Sequence, residues 1–246
     1  MKPFVLLATR AEDLAADDEY AALLRFGGLE ERDLVRVRLE QPDAPSASSL
    51  DLDAFSGIVL GGSPFTTSDP DASKSPVQRR VEADLLALLD RVVAEDRPFL
   101  GACYGIGTLG VHQGGVVDRT FGEPIGAVKV ELTPDGEADP LTSALPASFE
   151  AFVGHKEAVT RLPAHATLLA GSAACPVQAF RVGRHVYATQ FHPELDVDGL
   201  CTRIDVYRAY GYFDPSEAEA IKTAARQASV TEPPRLLPRF VELFAS

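Results

Sequence analysis

Cys103 lies in the segment Gly101-Ala102-Cys103-Tyr104-Gly105, directly after an apolar run. Glycines two positions before and after a thiol permit a sharp turn from a strand into a helix, the geometry that holds hydrolase nucleophiles at a strained corner. A helix that begins behind the thiol favours the thiolate through its dipole. The same pattern also fits a buried structural cysteine beside a glycine-rich turn. The motif alone therefore leaves both interpretations open.

A second candidate for chemistry is the segment His192-Pro193-Glu194, at the end of a predicted strand over 185–191. Strand alternation places His192 and Glu194 on the same side, and Pro193 stiffens the connection. A carboxylate at this spacing can accept the Nδ1 proton of the imidazole and leave Nε2 free to take a thiol proton. His192 is therefore the predicted base for Cys103.

The other four histidines are weaker candidates. Three of them are typical of surface or satisfied core residues, namely His112, His165 and His185. His155 stays ambiguous, because it lies in the polar segment Gly154-His155-Lys156-Glu157.

Asparagine does not occur in the sequence. This excludes a Cys-His-Asn triad and an oxyanion hole built on an asparagine amide. Backbone N–H groups are then the expected donors to an oxyanion. The three cysteines and five histidines show no zinc-ligand spacing, so no metal and no cofactor is predicted.

The elements of the first half place these residues at one edge of a sheet. Predicted strands and three predicted helices follow one another in the order β-α-β-β-α-β-α, which predicts a parallel sheet covered by helices on both faces. Gly61-Gly62 and the Cys103 corner both follow predicted strands, at the edge where such sheets bind ligands. The predicted strands are 4–8, 34–39, 57–60 and 98–102, and the predicted helices are 11–26, 77–94 and 106–111.

The second half indicates antiparallel strands added to the same sheet. The candidates are 128–132, 148–153, 167–170, 177–182 and 185–191. Residues 199–246 are predicted to carry two helices at most, 216–228 and 233–244, with 201–226 as an insertion. We predict a single domain over 1–246, with a core of about 1–198.

The formal net charge is −13, which argues against a nucleic-acid or anionic-membrane surface. The apolar run at residues 4–8 is too short for a signal peptide or a membrane span. Three cysteines without a disulfide framework predict a reducing environment, so a cytoplasmic location is expected.

Together these motifs resemble the class I (triad-type) glutamine amidotransferases, and most closely the glutaminase domain of GMP synthase. The resemblance implies a three-layer α/β/α sandwich with a flavodoxin-like, mostly parallel sheet and added antiparallel strands. The matching segments are 57–62, 101–105, 123–133, 175–180 and 189–194.

The resemblance also implies roles for individual residues. Cys103 would attack the side-chain amide of glutamine, His192 would transfer protons and Glu194 would orient the imidazole. The backbone N–H groups of Gly62 and Tyr104 would hold the oxyanion. The products are ammonia and then glutamate. In this family the ammonia passes to a synthetase, so either a separate partner takes it here or the protein is a plain hydrolase.

Substrate recognition departs from the family pattern. Gly107 stands where the family has a glutamine that helps to bind the substrate, and Ser63 stands where proline is common. Glu157 is the candidate for an aspartate that binds the substrate amino group. His155 and Gly61 complete the predicted substrate contacts.

These departures leave three functions open. The chain is a glutaminase, a hydrolase of γ-glutamyl peptides or other amides with the same triad, or a non-catalytic regulatory member.

Overall fold

The computed structural model describes residues 1–246, which form eleven strands and seven α-helices. The strands are β1 (Phe4–Ala8), β2 (Leu34–Arg38), β3 (Ile58–Leu60), β4 (Phe99–Ala102), β5 (Val116–Asp118), β6 (Glu123–Leu132), β7 (Ser148–His155), β8 (Ala158–Arg161), β9 (Thr167–Ser172), β10 (Ala179–Val182) and β11 (Val186–Thr189). The helices are α1 (Asp13–Gly27), α2 (Pro76–Ala94), α3 (Tyr104–His112), α4 (Pro134–Ala138), α5 (Val197–Val206), α6 (Ala218–Gln227) and α7 (Leu236–Phe244).

Nine strands form one mixed sheet in the order β2-β1-β3-β4-β11-β10-β9-β6-β7. The five strands from β2 to β11 pair in parallel, and the remaining pairs of the sheet are antiparallel. β5 and β8 form a separate antiparallel ribbon. The expectation of a parallel sheet extended by antiparallel strands is confirmed.

Alternate residues of β1 show how the sheet is covered on both faces. Val5 and Leu7 pack with the apolar sides of α2 and α3 in one core cluster. Phe4 and Leu6 face the other way and pack with α1 and α7 in a second cluster. Because neighbouring residues of a strand point to opposite faces, an apolar run such as β1 is the signature of a strand buried between helical layers. The predicted three-layer α/β/α arrangement is confirmed.

Two expectations about the second half are wrong. β11 was expected to be an antiparallel addition, but it pairs in parallel with β4 at the centre of the sheet. Residues 199–246 were expected to carry two helices at most, 216–228 and 233–244, but a further helix, α5 (Val197–Val206), precedes them. The Asp196 side chain caps this helix by accepting the Gly199 N–H across 2.8 Å. A glycine in the first turn weakens the helical pattern, and the cap compensates for it.

The C-terminal segment packs on the sheet and on α1. The Phe240 ring of α7 lies 5.8 Å from the Phe4 ring of β1, centroid to centroid. α5 lies against α1 and α6, with Leu200 and Ile204 in a third apolar cluster. No helix of the structure has both the length and the apolar character needed to span a membrane.

Candidate active site

β4 and β11 bring Cys103 and His192 to the same edge of the sheet. The register of the two parallel strands pairs Ala102 with Thr189, and the Cys103 N–H donates to the Thr189 carbonyl across 2.8 Å. His192 follows three residues after Thr189, and its N–H donates to the Phe152 carbonyl of β7 across 3.2 Å. The site therefore lies at the carboxyl ends of adjacent parallel strands, where open α/β sheets bind ligands.

Cys103 has the backbone of a strained corner. Its φ of 53° and ψ of −90° lie in the positive-φ half of the Ramachandran map, which residues other than glycine rarely adopt. α3 begins with the next residue, Tyr104, so its first N–H groups have no partner inside the helix. A Cβ on Gly101 would lie 2.9 Å from the carbonyl carbon of Gly105, so this corner closes only with glycine at position 101.

His192 is buried beside Glu194. Its Nδ1 lies 2.8 Å from Glu194 Oε1, and both side chains are less than a tenth exposed. Burial opposes protonation of the imidazole, but the charges of Glu194 and Cys103 outweigh it and raise the pKa of His192 to about 9. Burial likewise opposes ionisation of Glu194, but His192 and Arg203 outweigh it and lower the pKa of this carboxyl. At neutral pH the pair is therefore an imidazolium and a carboxylate.

A buried arginine from α5 supports this pair. Arg203 Nη2 donates to Glu194 Oε1 across 2.8 Å, and Arg203 Nη1 lies 2.9 Å from His192 Nδ1. Arg203 Nη2 also lies 3.6 Å from Glu19 Oε1. Because the Nδ1–H of His192 donates a hydrogen bond to Glu194, Arg203 donates to the carboxylate and makes no hydrogen bond with the ring. The Arg203 guanidinium thus joins the His192–Glu194 pair to a second buried carboxylate, that of Glu19.

Glu19 gathers three groups of the site. Its Oε1 accepts from Arg10 Nε across 3.0 Å and from the Gly62 N–H across 3.2 Å. Arg10 Nη1 in turn bonds the Tyr207 hydroxyl oxygen across 3.1 Å. Buried charges persist in proteins when they are paired in this way. The two arginines and the carboxylates of Glu19 and Glu194 therefore balance one another beneath the nucleophile.

Gly62 lies in the site as predicted, but its N–H is not free. It donates to Glu19, and a Cβ at Gly62 would lie 2.5 Å from Arg10 Nη2 and 2.8 Å from His192 Cε1. The role of Gly62 as an oxyanion donor stays a prediction, and it requires this hydrogen bond to be released or shared. Gly61 packs on Glu19 and its N–H donates to the Leu7 carbonyl, and its contact with substrate stays a prediction.

Gly107 of α3 faces Thr67 and Glu157 at close range. A Cβ there would lie 3.2 Å from Thr67 Oγ1 and 3.5 Å from Glu157 Oε1. The Glu157 carboxylate accepts from the backbone N–H groups of Thr67 at 2.7 Å and Ser68 at 2.6 Å. Glu157 therefore holds the loop after β3 against α3, in space that a side chain at position 107 would need.

His155 is a satisfied core residue. Its Nδ1 lies 2.8 Å from the Glu157 carbonyl oxygen and its Nε2 lies 3.0 Å from Glu123 Oε2, which also accepts from Gln178 Nε2 across 2.7 Å. Glu123, His155 and Cys175 form a buried group in which a carboxylate oxygen, a ring nitrogen and the sulfur lie within 4.8 Å of one another. Burial raises the pKa of the Cys175 thiol to about 12. The His155 ring is therefore held between the Glu157 carbonyl and Glu123, and its contact with substrate stays a prediction.

Two clefts meet at Cys103. The first, of about 470 Å³ with its opening included, contains His192, Arg10 and Arg203 and is walled mostly by apolar side chains. The second, of about 370 Å³ on the same basis, contains Gly107 and polar residues including Lys156 and Glu157. Tyr212 lines both, and burial together with the nearby Cys103 raises the pKa of its hydroxyl.

Sequence reasoning missed the supporting charges. The signal for Glu19 was available, because it lies among the buried positions 15, 16, 22 and 23 on the inner face of α1. A carboxylate on an apolar stripe indicates a buried partner. Arg10 follows β1 at the edge of the sheet where the site lies, and Arg203 belongs to the helix that was not predicted.

Comparison with protein families places this site in context. The family model described as "Glutamine amidotransferase class-I" matches residues 23–198. A curated relative, the glutamine-hydrolyzing GMP synthase of Edwardsiella ictaluri, is 30% identical over 146 residues. That match covers 57% of this chain and 25% of the relative, so the chain matches about a quarter of the length of that protein.

Solved structures share the fold. A glutamine amidotransferase from Thermotoga maritima superposes with a TM-score of 0.77 at 20% identity, covering 100% of both chains. A glutamine amidotransferase from Methylobacillus flagellatus gives a TM-score of 0.68 at 18% identity, covering 98% of this chain and 95% of the other. At these identities the likeness concerns the fold.

Proposed function

We propose that this chain, which belongs to the class-I glutamine amidotransferase family, hydrolyses the side-chain amide of glutamine with Cys103 as the nucleophile. The observation that carries the proposal is the placement of a strained, partly exposed thiol beside a buried imidazole that is itself paired with a carboxylate. Nucleophilic catalysis by cysteine needs these three groups in this order.

The first half of the reaction forms a thioester. The Cys103 sulfur attacks the amide carbon, and the carbonyl oxygen becomes an oxyanion. The C–N bond then breaks, and His192 Nε2 gives its proton to the departing nitrogen, which leaves as ammonia. Because Glu194 and Cys103 raise the pKa of His192 to about 9, the imidazole carries this proton at neutral pH.

The second half releases glutamate. Neutral His192 takes a proton from water, whose oxygen attacks the thioester carbon. The C–S bond breaks, and glutamate leaves with its γ-carboxylate. Tyr104, as the first residue of α3, offers an N–H to the oxyanion in both halves. Gly62 supplies the second N–H once Glu19 releases it. Loss of one such donor typically costs about 2.7–4 kcal/mol of the barrier.

Covalent trapping tests this proposal. Incubation with glutamine, or with the glutamine analogue 6-diazo-5-oxo-norleucine, is expected to add a γ-glutamyl or analogue group to Cys103, read by mass spectrometry of its peptide. Cys103→Ala should show no adduct and no glutamate release. Cys201→Ala is the matched control, since Cys201 is also partly exposed but lies in α5. A chain that forms no adduct and releases no glutamate is not a glutaminase.

The fate of ammonia is a separate proposal. The relative from Edwardsiella ictaluri is named a glutamine-hydrolyzing GMP synthase, and this chain matches 25% of it. We propose that a separate synthetase receives the ammonia. If so, adding that partner should raise glutaminase turnover, whereas a free-standing hydrolase should be unaffected by any synthetase added.

A further inference from the structure

The two clefts at Cys103 divide the site into a polar side and an apolar side. They share Cys103, Ser63, Gly154 and Tyr212. A bound amide whose carbonyl carbon lies at the sulfur must therefore extend its acyl part into one cleft and its departing nitrogen toward the other. This inference rests on the proposed function, and it concerns what the departing nitrogen carries.

The polar cleft suits the amino-acid end of the substrate. It contains Lys156 and Glu157, which have opposite charges, as have the amino and carboxylate groups of a glutamyl residue. Gln190 also lines it, and its Oε1 is buried without a hydrogen-bond partner. A buried acceptor left unpaired is costly, and a donor from a ligand removes that cost. The glutamyl part therefore belongs on this side.

The apolar cleft contains the proton donor. His192 lines this cleft and does not line the polar one. Since the imidazole must reach the departing nitrogen, that nitrogen and any substituent on it face the apolar cleft. The geometry of proton transfer thus assigns the leaving group to this side.

The apolar cleft is larger and less polar than ammonia requires. The space in it that the centre of a water-sized sphere can occupy is about 50 Å³, against the roughly 10–15 Å³ that one water needs on the same measure. The charges of Arg10 and Arg203 are balanced by those of Glu19 and Glu194. Six side chains form its apolar wall, Ile125, Val153, Leu195, Leu200, Tyr207 and Tyr212.

We propose that the preferred substrates are γ-glutamyl amides whose departing nitrogen carries a small apolar substituent, held in the apolar cleft. Cys103 forms the C–S bond, the C–N bond breaks, and His192 protonates the nitrogen, so a primary amine leaves in place of ammonia. Water then releases the same product, glutamate. Each buried methylene raises kcat/KM about fourfold, so a two-carbon substituent raises it about tenfold or more.

The experiment compares glutamate release from L-glutamine, γ-glutamylmethylamide, γ-glutamylethylamide and γ-glutamylglycine with the same wild-type protein. We expect kcat/KM to rise from glutamine to the methylamide and to the ethylamide, and to be lower for γ-glutamylglycine, because the arginines are already paired. Glutamine as the best substrate overturns the inference but leaves the proposed function intact. γ-Glutamylglycine as the best substrate also overturns it, because the cleft would then bind an anion.

A variant locates the substituent. Ile125→Trp narrows the apolar cleft and should remove the advantage of the ethylamide over glutamine, while Val35→Trp, on the exposed edge strand β2, should keep it. An unchanged ethylamide advantage in a folded Ile125→Trp protein contradicts the placement. The wild-type substrate series stands by itself if this variant fails to fold. Absence of glutamate from every amide, together with no Cys103 adduct, rejects the proposed function itself.

Discussion

Arg203 and Glu194 form a buried ion pair in which Nη2 donates to Oε1 across 2.8 Å, although nothing in their sequence context marks them as partners. The pair joins α5 to the turn after β11. It fixes the Glu194 carboxylate against His192 Nδ1, which leaves the other ring nitrogen, Nε2, outside this pair. Arg203 therefore positions the His192–Glu194 pair.

Arg203→Met should be strongly destabilising, because it leaves Glu194 and Glu19 without their shared cation. Breaking a buried pair by removing one partner costs about 3–5 kcal/mol of unfolding free energy. Urea unfolding measures the loss. Arg208→Met is the matched control, since the Arg208 side chain is 47% exposed, and it should change stability by less than about 0.5 kcal/mol. Equal effects in the two variants would show that the buried pair contributes nothing special.

Glu194→Gln should shift the pH dependence of thioester formation. In the wild type, Glu194 and Cys103 raise the pKa of His192 to about 9 against burial, so acylation should decline only as the pH rises through about 9. Without the carboxylate charge the pKa falls toward its ordinary value near 6.5, and the alkaline decline moves down with it. Burst kinetics between pH 6 and 10 measure this decline of the acylation rate at high pH, the alkaline limb of the profile. An unmoved limb in the variant contradicts the assignment of Glu194, and Glu137→Gln, on an exposed position, serves as the control.

Gly101→Ala and Gly105→Ala test the corner around the nucleophile. At position 101 the added methyl meets the backbone of Gly105 at 2.9 Å, which no side-chain rotation relieves, so activity and about 1–3 kcal/mol of stability should be lost. At position 105 the nearest atom is the Leu60 carbonyl oxygen at 3.3 Å. Alanine there improves helix propensity, so stability should stay within about 1 kcal/mol of the wild type. Thermal melting and glutamate release distinguish the pair, and the reverse order of damage would refute this account of the corner.

Lys156→Met should loosen residues 207–214 beside the site. Lys156 Nζ donates to the Tyr210 carbonyl across 2.8 Å and lies 4.3 Å from the centre of the Tyr212 ring. Methionine keeps much of the apolar stem and removes the charge, so hydrogen exchange of this segment should speed up about tenfold, as expected for loss of one charged hydrogen bond. Lys129→Met, at an exposed lysine on β6, should leave the exchange unchanged. Equal exchange rates in the wild type and the two variants would mean that Lys156 does not stabilise residues 207–214.

The sequence was sufficient for the parts of the site that are local. Gly101 to Gly105 and His192 to Glu194 each carry their geometry within a few residues, because glycine spacing and strand alternation act over that range. The apolar run at β1 likewise predicted a strand that is buried on both faces. Cys103 and His192 meet because their strands are neighbours, but the register that pairs β4 with β11 is a property of the whole sheet.

The parts that sequence reasoning missed depend on long-range packing. Glu19 and Arg203 interact across a large separation in the chain, and no local pattern in either helix specifies the other. Gly107 was recognised as a departure, but the nearness of the loop at Thr67, which Glu157 holds in place, could not be predicted from the sequence. The direction of β11 was missed because an isolated apolar strand carries no sign of which neighbour it will pair with.

At Cys103 the requirements of stability and of chemistry conflict, because the backbone conformation favours glycine and the chemistry needs a thiol. A residue other than glycine at φ 53° and ψ −90° costs on the order of 1–3 kcal/mol, a strain that glycine does not incur. Selection for stability alone would therefore erode the thiol and favour a glycine at position 103. A copy of this chain released from the need for chemistry would drift toward that inert form. Cys103 therefore lowers the stability of the fold. A purely regulatory protein would have no reason to keep a cysteine at this position.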